Sequence, residues 1–323
     1  MQKIVAILSA ALATVSIGSA RAADNYPNRP ITVIIPFAPG GTTDTLGRLL
    51  INSLSDKLGQ PMVIDNTSGA GGLIGMQKLQ KAAADGYTLV FNNMSLAILP
   101  SQHPKAGYDP LKEVMPIGIV ASVPMVLSVS NKSGIQGLPS MLKHMRDPSA
   151  APLNLGTAGP GSTTHLAASM FKHYAQGAGE VIGYRGSGPA LTDLMSGTVD
   201  AVIDQTVTML PLHADNRVKA IAVTSTQRLP QRPDLPTFVE GGLPEFDLKI
   251  WNGLVAPAGT PQPILDKLTE ALSAAIDAPE FKERLDKLAA QVPPAEERGP
   301  EPFRALLARD IERISSLVKS ATN

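Results

Sequence analysis

The sequence predicts an α/β chain folded as two lobes, each a mixed, largely parallel sheet flanked by helices, with a cleft between them. Three observations lead there. Strand-like and helix-like segments alternate from residue 31 onward, the pattern of a largely parallel sheet. The 323 residues are enough for two domains and a substantial core. Several strand ends run through small residues straight into a helix start, which builds loops that face a crevice. A single large sheet with a decorated end is the alternative arrangement.

The elements follow in order. "ITVIIPF" is the first strand, and the helix after it spans Thr42–Leu58, with apolar residues at Leu46, Leu49, Leu50, Leu54 and Leu58. Thr42 or Thr43 caps its start. "MVIDN" is the second strand, and "SGAGGLIGMQKLQKAAADG" is a glycine-rich turn leading to a helix that stops at Asp85-Gly86. "YTLVFNN" is the third strand. "PMVLSVS" then opens a second unit, with helices in "LPSMLKHMRD", "STTHLAASMFKHYAQ" and "GPALTDLMSG" and strands in "EVIGY", "VDAVID" and "KAIAVTS". The segment from Arg228 to Pro261 carries too many prolines for a helix. Two amphipathic helices, Pro263–Ala290 and Pro302–Ala321, close the chain. On this reading residues 23–124 and 228–323 form the first lobe and residues 125–227 the second. The chain would cross between them near Ser122–Ser130 and near Val223–Gln227.

Residues 1–22 stand apart from that fold. "MQKIVAILSAALATVSIGSARA" has Lys3, an apolar run from Ile4 to Ile17, and small residues ending in Ala20-Arg21-Ala22. A charged start, an apolar middle and an A-x-A end make an export signal cleaved after Ala22. The run is too short to span a bilayer, which needs about 20 apolar residues. Loss of Lys3 and Arg21 leaves 26 basic against 28 acidic residues, a formal charge of −2. That balance, with no basic run, speaks against nucleic acid as a partner. The absence of cysteine excludes disulfides and thiolate chemistry.

Four loops carry the candidate chemistry: Pro39–Asp44, Asn92–Ser95, Gly156–His165 and Tyr184–Asp193. A helix N-terminus offers unpaired N–H groups and a partial positive charge, so it holds an anion without a cationic side chain. Only the last loop has a cation, Arg185. Converging on one cleft, the four would bind a compact anion by hydrogen bonds. Taken singly, such a loop is as readily an ordinary strand–turn–helix corner. Asp44, at about the third helical position, suits a cap better than a ligand contact. Asp204 and Gln205 end a strand and either face the cleft or serve a turn. Enzyme motifs are missing: no G-x-S-x-G, G-x-G-x-x-G, P-loop or H-E-x-x-H occurs, so no catalytic residue, cofactor or metal site is expected.

These loops give the chain a family resemblance. "YPNRPITVIIPFAPGGTTDTLGRLL", "SGAGGLIG", "ADGYTLVFNN", "GTAGPGSTTHLAA", "YRGSGPALTDLMSGTVD", "RPDLPTFVEGGLPEF" and "WNGLVAPAGTP" resemble, in order, the periplasmic solute-binding receptors of tripartite tricarboxylate transporters, the Bug type. The resemblance implies a two-lobed Venus-flytrap fold and a periplasmic, monomeric, non-enzymatic receptor. Such a receptor captures a small di- or tricarboxylate, an acidic amino acid or an aromatic dicarboxylate such as terephthalate. It then passes the ligand to membrane permease subunits. Carried over by motif, the ligand contacts are Gly40, Gly41, Thr42, Thr43 and Asp44 in the first lobe. In the second they are Ala158, Gly159, Ser162, Thr163, Tyr184, Gly186 and Asp204, with Arg185 beside them and Asn92, Ser95 and Trp251 as wall residues. The chain departs from the family pattern at Thr67-Ser68, Ala84, Arg185 and Gly188, and none of these touches the proline–glycine loop. A carboxylate sensor subunit and an exported α/β enzyme acting on a small acid are the alternatives.

Overall fold

The computed structural model describes residues 25–322. The export signal lies outside them. The first sheet contains β1 (Ile31–Ile35), β2 (Met62–Asn66), β3 (Thr88–Asn93), the first part of β4 (Val114–Val129) and β9 (Lys249–Pro257). Its order is β2-β1-β3-β9-β4, with β1 parallel to β2 and β3, and β9 antiparallel to both its neighbours. The second contains β5 (Leu153–Thr157), β6 (Gly179–Gly183), β7 (Ala201–Gln205) and β8 (Lys219–Val223). Here β5 is parallel to β6 and β7, and the end of β4 pairs antiparallel with β7 and β8. Both sheets are therefore mixed and share one strand.

That shared strand is the first crossing. β4 pairs with β9 as far as Pro124 opposite Lys249, then with the second sheet from Met125 to Val129. Second-lobe pairing does begin within "PMVLSVS", but the strand itself starts eleven residues upstream of Met125, at Val114. The second crossing differs from the expected one. Residues 228–248 pack on the second lobe: Phe238 and Phe246 meet Phe171 with ring centroids 5.8 and 6.1 Å apart. Leu229 and Leu235 join the cluster of Leu191 and Leu194, and Val223 exchanges backbone hydrogen bonds with Pro236 and Phe238. The crossing is thus at Leu248–Lys249 rather than Val223–Gln227. Proline-rich chain has no periodicity to say which core its aromatics enter.

The helices are α1 (Thr42–Leu58), α2 (Leu73–Gln80), α3 (Ser95–Gln102), α4 (Pro110–Glu113), α5 (Leu138–Arg146), α6 (Thr163–Ala175), α7 (Ser187–Ser196), α8 (Thr206–Ala214), α9 (Gln262–Ile276), α10 (Pro279–Lys287) and α11 (Pro300–Thr322). The single closing helix expected over 263–290 is two helices. Pro279 has no N–H to donate and its ring blocks the preceding turn, so it starts α10 instead of continuing α9. α8 was not foreseen, and α3 only as a helix start after Asn92–Ser95. Their starts are buried all round, which leaves no 3.6-residue stripe, and each contains a proline.

What fixes the site is the seating of α1. Leu46, Leu50 and Leu54 are fully buried against Leu268 and Leu272 of α9, each such leucine contributing about 1.5–3 kcal/mol. Gly47 lets the helix lie close on β1, since a Cβ there would stand 2.7 Å from Ile35 Cδ1. The N-terminus of α1 is thereby held at the end of β1, facing the second lobe.

Candidate functional site

The loop before α1 turns at Gly40, whose φ of 85° is a left-handed conformation that glycine favours. Gly41 caps the helix with extended backbone and no side chain. Asp44 reaches back instead: its Oδ2 accepts from the Gly40 N–H at 3.1 Å. The same carboxylate accepts two bonds from Arg48, at 2.9 and 3.0 Å, and one from Asn66 Nδ2 at 3.0 Å. Burial pushes this carboxyl up, but the Arg48, Asn66 and Gly40 bonds outweigh it and hold it below the usual carboxylate range. Asp44 therefore braces the helix start and is turned away from the cleft.

Behind it, β3 delivers two asparagines to opposite faces. Asn92 Oδ1 accepts from the Asn93 N–H and the Ser95 hydroxyl, and its amide lies against Met76 Sδ. Asn93 accepts the Ser95 N–H and donates to Thr43 Oγ1 at 3.0 Å. Asn92 and Ser95 thus support the start of α3, while Asn93, which sequence reasoning passed over, lines the cleft.

From the second lobe, Ser162 caps α6 by accepting the His165 N–H at 3.2 Å. Thr164 Oγ1 accepts the Ala158 N–H at 2.7 Å. Near the end of β7 is Asp204, which is 1% exposed. Its Oδ1 accepts the Gln205 N–H at 2.8 Å, and Thr208 Oγ1 donates to Oδ2 at 3.3 Å. The hydroxyls of Ser187 and Thr42 are close enough to favour its charged form. Burial raises the Asp204 carboxyl to about 6 against these hydrogen bonds.

The two sets of loops meet. Thr42 Oγ1 lies 3.0 Å from Thr208 Oγ1, and the Ala38 N–H donates to the Arg185 carbonyl at 3.2 Å. His103 Nε2 lies 3.2 Å from the Pro160 carbonyl. Glycines allow this approach. A Cβ on Gly71 would stand 2.0 Å from the Pro160 oxygen, one on Gly186 2.7 Å from Ala38 N, and one on Gly188 2.1 Å from the Pro39 oxygen, so Gly188, against expectation, does touch the proline–glycine loop. A Cβ on Gly41 would meet Ser187 Cβ at 3.2 Å. The lobes are closed.

Between them is a polar pocket of about 10 Å³, room for about one water. Seven predicted residues line it: Gly41, Thr42, Thr43, Ala158, Ser162, Thr163 and Asp204. Gln205 lines it too, as do Phe37, Asn93 and Ser187, which were not singled out. The N-termini of α1, α6 and α7 converge there, and no lysine, arginine or histidine is in the lining. Gly159, Tyr184 and Arg185 lie instead along a rim groove of about 480 Å³, facing Ala70 and Gly71 of the first lobe. Tyr184 donates to Asp193 Oδ2 at 2.5 Å. Burial, helped by that carboxylate, raises its phenol to about 12. Trp251 is not part of the pocket lining. Its indole donates to the buried Asp310 at 2.7 Å and its ring meets Phe303 edge-on at 5.1 Å. Alternation along β9 sends that side chain toward α11, away from the cleft. Among the described residues no group of three or more acidic or histidine side chains is placed to hold a metal. No helix among them is long and apolar enough to cross a membrane.

Comparison with known proteins agrees with this geometry. Residues 46–319 match the tripartite tricarboxylate transporter family receptor profile. BugT of Bordetella pertussis is 35% identical over 323 residues, covering 99% of this chain and 97% of its own. The periplasmic binding protein BugD superposes with a TM-score of 0.88 at 35% identity, over 92% of this chain and 99% of BugD. MatC of Rhodopseudomonas palustris, solved with malate, gives 0.85 at 34% identity over 91% of this chain and all of MatC. Another R. palustris protein, solved with adipate, gives 0.85 at 30% identity, over 92% of this chain and 98% of its own. With a periplasmic-binding-protein fold closed around a hydroxyl-lined pocket, the chain belongs to the tripartite tricarboxylate transporter receptor family, whose members are transport receptors rather than enzymes.

Proposed function

We propose that this chain is an exported, monomeric periplasmic receptor that captures a small dicarboxylate or tricarboxylate between its lobes and delivers it to the membrane subunits of a tripartite transporter. One observation carries the reading. Three helix N-termini, from both lobes, converge on a buried pocket whose polar groups are almost all neutral donors. The lobes on this reading are residues 25–124 with 249–322, and residues 125–248. One ligand carboxylate enters among Gly41, Thr42, Thr43, Ser162, Thr163 and Ser187. The far end runs toward the rim groove, where Arg185 meets a second carboxylate. Malate in MatC and adipate in the second R. palustris protein support aliphatic C4–C6 dicarboxylates as the class. Terephthalate is the narrower reading, with Phe37 as the aromatic wall.

The test is the shift in melting temperature of the mature chain across aliphatic and aromatic carboxylates. A ligand at a hundred times its Kd that binds only the native state stabilises it by about 2.7 kcal/mol. A shift with one or two acids supports the receptor and names its ligand class. A flat panel, repeated on protein unfolded and refolded to strip any carried ligand, overturns the proposal. Turnover of the acid by the metal-free protein would instead favour an enzyme. Unimpaired carboxylate uptake in cells lacking the protein would favour a sensor.

A further inference from the structure

The pocket proposed to receive an anion already contains one. Asp204 is the only ionisable side chain in its lining, and its carboxylate sits beside two of the hydroxyls assigned above to the incoming carboxylate, Ser187 and, from the other lobe, Thr42, while it holds the Gln205 N–H and Thr208 hydroxyl for itself. No charged side chain lies opposite to compensate. On α1, Asp44 and Arg48 are paired with each other on the outer side. On α6, burial pushes the His165 imidazole down, and its Nδ1 is unpartnered. On α7, Asp193 is taken by Tyr184. On α8, His213 is bonded to Val218 and Arg232. Arg185 lies out at the rim, and Lys249 on β9 is bonded to Gln291. The paired stretches of β4 and β5 beside β7 carry no charged residue.

Two carboxylates in one water-excluded pocket, sharing neutral donors, do not both stay ionised; one takes a proton. We infer that carboxylate capture by this chain is coupled to uptake of one proton from solvent by Asp204, so that ligand and Asp204 form a proton-sharing pair on closure. This rests on the carboxylate-receptor reading. The proton comes from water as the lobes close, and the O–H of Asp204 then donates to the ligand carboxylate instead of repelling it. Burial raises this carboxyl to about 6 before a ligand arrives, so at pH 7.5 it is still mostly ionised and has a proton to gain. Binding should therefore weaken as pH rises from 6 to 8, approaching tenfold per unit where one full proton is taken up.

The test is calorimetric titration with succinate, malate and adipate at pH 7.5 in two buffers of different ionisation enthalpy, which counts protons directly and needs no variant. About one proton taken up per ligand, lost in Asp204→Asn, supports the inference. Asp204→Asn should bind at least tenfold tighter than the natural protein at pH 8 and within about threefold at pH 5. His103→Gln, which removes the titratable group at the other lobe contact, should leave the proton count unchanged. Binding with no proton uptake overturns the coupling and leaves the receptor reading standing. Equal uptake in Asp204→Asn also overturns it. No binding of any carboxylate overturns the receptor reading and the coupling with it.

Discussion

Gly186→Ala separates closure from folding. The residue precedes α7 with φ 163° and ψ 167°, an extended backbone that alanine accepts. Its new Cβ would stand 2.7 Å from Ala38 N and 3.1 Å from Ala38 Cβ, where about 3.5–4.0 Å is comfortable. Both atoms belong to the other lobe. The loops must part by roughly 1 Å, which also breaks the 3.2 Å bond from the Ala38 N–H to the Arg185 carbonyl. Overpacking of this size costs about 1–3 kcal/mol and the bond about 1 kcal/mol. The closed form is then weaker by about 2–4 kcal/mol, and ligand affinity falls roughly 30-fold to several hundredfold. Within the second lobe the only loss is a glycine cap replaced by alanine, about 1 kcal/mol or less. Calorimetric titration with the carboxylate that shifts the melting curve reads the affinity, and small-angle scattering with that ligand reads the opening. A variant that binds within threefold of the natural protein and scatters as compactly would refute the reasoning.

Three further outcomes are expected. Gly41→Val, whose side chain would run into Ser187 and the Gly188 N–H, should weaken binding by more than about tenfold, or 1.4 kcal/mol, with circular dichroism unchanged. Asp44→Asn should cost about 1 kcal/mol of stability at pH 7, discounted because Arg48 is half-exposed. The folded carboxyl titrates below its unfolded value, so its contribution is present at neutral pH and lost as pH falls below about 4; denaturation midpoints of the two proteins should converge there. Trp251→Phe should lower stability by about 1–3 kcal/mol in urea unfolding, because Asp310 loses its indole donor, and leave ligand affinity within about twofold.

The sequence showed the ends of the elements better than their partners. Thr42–Leu58 was legible to the residue because its leucines repeat with helical period and Gly59 stops it at φ 65°. The pocket's neutral chemistry was legible for the same local reason: small residues ahead of a helix can do little else. What escaped was anything set by the opposite lobe. Gly41 was carried over as a ligand contact, and the structure also brings Ser187 of the opposite lobe against it. Gly186 stood as a ligand contact and is a contact between lobes. Asn93 was hidden by its neighbour, since alternation puts only one of two adjacent asparagines in the pocket and the sequence does not say which. Trp251 came in by motif as a wall residue, yet its indole answers a buried aspartate 59 residues away.

A receptor must also let go, and here the division of donors decides how. A lysine on one lobe would hold a carboxylate after the lobes part. Neutral hydrogen bonds contribute only about 0.5–1.5 kcal/mol each, and this pocket takes them from α1 on one side and α6 and α7 on the other. Opening removes half of them and admits water to the rest. Closure, in turn, is not left to the ligand alone, because Thr42–Thr208, Ala38–Arg185 and His103–Pro160 join the lobes directly. A ligand shifts an opening equilibrium only by its differential affinity for the two states. Contacts that already favour closure reduce the share it must supply. Whatever opens the receptor must break those three contacts as well, and in doing so it parts the helix N-termini that line the pocket. Removing the two side-chain contacts together by Thr42→Val with His103→Ala should therefore leave a protein that binds more weakly and is more open in scattering without ligand, and a ligand-free protein as compact as the natural one would show that closure does not depend on those two.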